Sequence, residues 1–186
     1  MKKVLLALAL LVLLSILASA ENDSATTGPY KVSFDLGVPH SAYNITVSEP
    51  KSTESLSGDK STIYGIKIRN NTGILNFMDI GITYHDIARL VLTSDELKYV
   101  ISQTLIDDPS TSNVDTATRT IDNSSGAIGS CDVTESGFKI KSYLAGYNLK
   151  TDPTRTTVTI TSFEPWDEGT LQLLKTIHVE KIAGKK

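Results

Sequence analysis

Tyr64, Ile66 and Ile68 alternate with Gly65, Lys67 and Arg69, and after Asn70-Asn71-Thr72-Gly73 the alternation returns as Met78, Ile80, Ile82 and Tyr84 against Asp79, Gly81 and Thr83. Successive side chains of a strand point to opposite faces, so each run predicts a strand with one buried side. The Gly-bearing turn between them makes the pair a hairpin. Val32, Phe34 and Leu36 mark an earlier strand over residues 30–36. Pro39 breaks it, residues 43–48 resume an extended path, and residues 49–60, rich in Pro, Ser, Gly and charge, read as a loop. The second half predicts strands at 117–121, 127–133, 138–147 and 156–163, separated by turns at 122–126, 135–137 and 150–153. In the last of these strands Thr alternates with Val158 and Ile160, residue types that suit a pleated surface. No internal repeat of 20–50 residues is visible.

Two stretches change period. Thr93-Ser94-Asp95-Glu96 has the spacing of a capping box, with Leu92 and Leu97 placed as a hydrophobic staple. Leu97, Val100, Ile101 and Leu105 follow on one helical face, predicting a helix from Ser94 to Ile106 that ends before Pro109. The second helix is predicted over residues 165–177. Pro165 suits the first helical position, and Asp167 and Glu168 favour the positive end of the helix dipole. Lys175 and His178 are assigned to the last turn. Trp166, Thr170, Leu173, Leu174 and Ile177 form one apolar stripe, so the acids and the Trp read as helix ends and burial rather than as an active site. Gly169 costs this helix about 1 kcal/mol. Strands in series with two helices predict an α+β domain: a largely antiparallel sheet with both helices packed on it.

The amino terminus sets the compartment. Lys2 and Lys3 precede an apolar run from Val4 to Leu17, and Ala18-Ser19-Ala20 supplies small residues for cleavage: a secretory signal peptide over residues 1–20, cleaved after Ala20, with an uncleaved amino-terminal anchor as the alternative. The organisation expected is then a flexible leader at 21–29, one α+β domain at 30–183 and a short tail at 184–186. The remaining 166 residues hold 16 basic and 21 acidic side chains, a charge near −5 without a basic stripe, which argues against nucleic acid as a partner. No later stretch is long and apolar enough to span a bilayer as a helix. Asn22, Asn44, Asn70 and Asn123 each begin an Asn-x-Ser/Thr sequon, making them possible glycosylation sites.

Chemistry is sparse. His40, His85 and His178 each lack a second His or Cys at metal-ligand spacing, and His85 beside Asp86 is the best candidate for an adventitious ion. Asp107-Asp108 lacks the alternating oxygens of a calcium loop. The glycines of "GAIGS" at 126–130 precede a strand rather than a helix. No G-x-S-x-G or H-E-x-x-H is present, and Cys131, the lone cysteine, reads as a small buried apolar residue. No catalytic, cofactor-binding or metal residue is therefore assigned.

The order of hairpin, central helix, strands and closing helix resembles the PsbP-like family over residues 115–179. The residues that carry it are Arg119-Thr120-Ile121-Asp122, the "YLAGYNL" strand at 143–149 and the final strand-to-helix unit "TTVTITSFEPWDEGTLQLLKTI". The resemblance implies an antiparallel sheet between helices, extracytoplasmic placement and a noncatalytic accessory role, and it brings no site residues. The expectation is a secreted or cell-surface module binding a protein or cell-envelope partner. The alternative is a small secreted hydrolase or metal-dependent enzyme whose site assembles only in three dimensions.

Overall fold

The structure, a computed structural model, describes residues 22–56, 58–71, 77–135, 137–163 and 167–182. Its elements run β1 (Asp23–Thr27), β2 (Tyr30–Phe34), a 3-10 turn (His40–Ala42), β3 (Tyr43–Glu54), β4 (Lys60–Asn70), β5 (Phe77–His85), α1 (Ser94–Ile106), β6 (Thr111–Ile121), β7 (Ser124–Glu135), β8 (Phe138–Asn148), β9 (Thr156–Phe163), α2 (Asp167–Thr176) and β10 (His178–Lys181). Seven strands form one antiparallel sheet in the order β3-β4-β5-β9-β8-β7-β6, and three form a second in the order β1-β2-β10. The fold is α+β, as the alternation predicts.

Register explains the core. Val47, Ile66, Ile80, Ile160 and Ala145 face one another across five strands, and Ile68–Met78 and Ile82–Val158–Tyr147 lie on the same face. From Ile66 inward these side chains are at most 1% exposed. Over them lie Tyr30, Val32 and Phe34 of β2, Val179 of β10, and Leu173, Leu174 and Ile177 at the end of α2, all in one cluster. The α2 stripe is thus buried as predicted from Thr170 onward, and Ser162 bonds Thr170 beneath it at 2.8 Å. Pro165 and Trp166 lie outside the described residues, as do the signal segment and the middle of the β4–β5 turn.

Helix α1 lies on the opposite, outer face, over β6, β7 and β8. Leu97, Ile101 and Leu105 pack there with Ala127, Cys131 and Val133 in a second, smaller cluster, and Leu92 closes its rim. Both halves of the capping box form: Glu96 N–H donates to Thr93 Oγ1 at 3.2 Å, and Thr93 N–H to Glu96 Oε2 at 2.7 Å.

Four expectations are corrected. The polar composition of residues 21–29 predicts a flexible leader, yet Asp23–Thr27 is a strand paired along its whole length with β2. Its inward positions are Asp23, Ala25 and Thr27, two polar residues around one small apolar one, so no strong apolar alternation announces it; Asp23 is buried because His40 and Tyr43 bond its carboxylate. The loop read at 49–60 is mostly strand: β3 passes a bulge between Ser48 and Lys51 and continues to Glu54, so Pro50 sits where the ladder is already interrupted. Val100 is 48% exposed rather than packed with Ile101. His178 belongs to β10, not to the last turn of the helix, because Ile177 closes the helix by donating to Leu173 O.

Candidate functional site

Because α1 covers only the β6–β8 half of the outer face, the half built by β3, β4, β5 and β9 carries no covering element among the described residues. Ser48, Gly65, Gly81 and Thr159 stand in one row across these four strands. Glycines at the two central positions leave the backbone itself as a floor. A Cβ on Gly81 would come within 3.0 Å of Thr159 Oγ1, and one on Gly65 within 3.3 Å of the Ser48 side chain, so the row is filled up to those hydroxyls and no further. The result is a groove of about 470 Å³, walled on the β3 side by the bulge residues Glu49 and Pro50.

Flanking rows supply its chemistry. On one side Lys67, Asp79 and Thr161 are in register, and beyond them Arg69, Phe77 and Phe163. The Arg69 guanidinium donates to Asp79 at 2.8 Å and lies 4.8 Å over the Phe77 ring, which packs on Phe163 with centroids 4.5 Å apart. On the other side come Ile63, 38% exposed, and Thr83. Thr159 Oγ1 donates to Gly81 O at 3.4 Å, leaving a hydroxyl at the floor.

A second concavity, about 430 Å³, opens on the other face between the β6–β7 turn and the end of α2. Asp122, whose side chain is 5% exposed, lies at its base. It accepts from Tyr147 Oη at 3.3 Å, Val179 N–H at 2.9 Å and His178 Nδ1 at 2.8 Å. The imidazole is 60% exposed, so Nε2 is left towards solvent, and Arg119 and Lys175 also line the cleft. A His oriented by a buried carboxylate is the geometry of a general base. Among the described hydrogen bonds none joins a Ser, Thr or Cys to that ring.

The other candidates stay apart. His40 Nδ1 meets Asp23 at 2.5 Å, 17 residues away in sequence. His85 has its Nδ1 buried without a described partner, and burial, with the Arg89 charge nearby, lowers its pKa. Cys131 is 1% exposed beneath α1, and burial raises its thiol, the opposite of an activated nucleophile. Among the described residues no three His, Cys, Asp or Glu gather as metal ligands. Asn22, Asn44 and Asn123 are exposed and Asn70 is half-buried; Asn123 stands at a hairpin tip and Asn44 donates to Asn71.

The groove was half legible. Odd positions from Ile63 to Arg69 and from Asp79 to Thr83 share one face by alternation, but the register that aligns Gly65 with Gly81 and Thr159 is not written in either run. The Asp122–His178 contact spans 56 residues and carries no sequence signal.

No protein-family model matches the chain, and no curated protein matches it. Among solved structures it is similar to LpqN, involved in cell envelope biogenesis of Mycobacterium tuberculosis, with a TM-score of 0.48 and 9% identity over 86% of this chain and 90% of that one. The PsbP-like resemblance gains no support from these comparisons, and a likeness at this distance transfers no role. Among the described residues no helix is long and apolar enough to cross a membrane.

Proposed function

We propose that the chain is an extracytoplasmic, noncatalytic binding module whose recognition surface is the bare half of the outer sheet face. The observation that carries this reading is the asymmetry of that face: one half is sealed by α1, the other is a groove with a backbone floor and a half-exposed charged and hydroxylated rim. One pair at its rim, Arg69 and Asp79, is already joined, and among the described residues no nucleophile and base meet there, which suits reversible binding better than bond-making. The signal-like amino terminus supports the compartment, and the partner is a protein or cell-envelope component. Lys67 and Thr159 are exposed, so Lys67→Glu and Thr159→Arg change the groove without touching the core. In a pull-down from isolated cell envelopes, wild type is expected to retain material that both variants lose, at unchanged unfolding midpoints. Equal retention by the variants would remove the groove as the binding surface.

A second reading, a small hydrolase, is favoured by the Asp122–His178 couple in its own cleft. It requires ester or phosphoester turnover that disappears in His178→Ala and survives in Thr159→Arg.

A further inference from the structure

We infer that the occupant of the outer-face groove is a neutral glycan chain laid across β4, β5 and β9, an inference that rests on the binding reading above. The argument begins with shape. The Ser48–Gly65–Gly81–Thr159 row crosses three strand spacings, about 15 Å at roughly 4.8 Å each, with taller side chains on both sides. A trough of that length perpendicular to the strands accepts a short run of a linear polymer, and its volume of about 470 Å³ lies within the usual range of ligand sites.

The chemistry then narrows the class. A donor from Lys67, the Asp79 acceptor and hydroxyls that do both, from Thr159 and Thr161, stand on neighbouring strands along the groove. A sugar ring presents the same mixture, since each of its hydroxyls both donates and accepts. Charge opposes the other polymers. Among the lining residues Lys51 and Lys67 face Glu49 and Asp79, so the charges balance, far below the positive excess a nucleic acid or a strongly acidic polymer selects. A protein partner is held by a central aromatic or aliphatic anchor in a desolvated pocket, and the centre of this groove is glycine and threonine. An added peptide strand would need an open edge, and β3 is interrupted by its bulge at Pro50. Ile63, on the row beside the glycines, offers an apolar surface for the C–H face of a sugar.

The test uses isolated cell envelopes as the probe. One sample is treated with periodate, which cleaves vicinal diols and so opens sugar rings; another is treated with protease. Binding of the purified protein is expected to be lost after periodate, to persist after protease, and to weaken about tenfold or more in Thr159→Arg and Lys67→Glu. Binding that survives periodate but not protease, and still falls in the two variants, overturns the glycan and leaves the binding surface standing. Binding indifferent to both variants, or no binding to any envelope, overturns the surface as well.

Discussion

Asp122 and Asn123 both have positive φ, 50° and 56°, and link Ile121 directly to Ser124. Two left-handed residues in a two-residue loop make a type I′ hairpin turn, for which Asn and Asp are the side-chain-bearing residues best suited. The turn therefore explains why an aspartate stands there, and its neighbours explain why the carboxylate is buried: it ties β10, β8 and the β6–β7 turn through Val179, Tyr147 and His178. Burial first, then the Asp122 charge, raise Tyr147 well above its ordinary value of 10.0. A raised folded pKa favours the protonated form, so this contribution to stability is complete below pH 10 and is lost as pH rises beyond it. Tyr30 and Cys131, also raised, add to the same alkaline loss. Tyr147→Phe is expected to lower stability at pH 7, through the lost bond to Asp122, and to reduce the loss between pH 9 and 11. Urea unfolding across that range measures both. An alkaline limb as steep as wild type would show that Tyr147 does not titrate with unfolding.

At the scale of elements, what was legible follows how local each signal is. Helix α1 begins at Ser94 and ends at Ile106, as its capping box and stripe predict, because every group that fixes those ends lies within a few residues. Strand β9 has its predicted bounds for a similar reason: alternating Thr with Val158 and Ile160 is a complete two-faced pattern. Strand β1 was missed because its burial depends on His40 and Tyr43, and β10 because four residues after a helix carry no period. The seat of α1 was equally hidden. Gly129 sits under the helix, and a Cβ there would come within 2.6 Å of Ile101 Cγ2 and of Leu105 Cδ1. The position is glycine because the helix lies on the strand backbone. Gly129→Ala is therefore expected to displace α1 and to cost about 1–3 kcal/mol, the usual penalty of overpacking. Thermal unfolding gives the answer, and an unchanged midpoint would mean that α1 can lift without loss.

For the whole molecule, the two clusters differ in what they join. The larger one draws residues from both sheets and α2, from Tyr30 and Phe34 to Ile80, Ile160 and Leu174, so neither sheet can open alone without exposing it. Among the described residues the smaller one joins α1 to β7 alone in its buried part, with six buried residues against twenty in the larger. That disparity decides the order of opening: α1 can leave its seat while the seven strands keep their pairing and their inner face. The same one-sided cover creates the groove, since among the described residues nothing in the outer cluster extends past Phe163 towards β5. Hydrogen exchange on the native protein is thus expected to show α1 amides opening at a lower free energy than those of β5 and β9. Ile101→Ala, at the centre of the small cluster, sharpens the test. Truncation of a buried Ile costs about 2–5 kcal/mol, and here the loss is expected in the protection of α1, with β5 and β9 close to their wild-type values. Equal losses in all three elements would show that the helix and the sheet unfold as one unit, and that the bare half of the face is as rigid as the covered half.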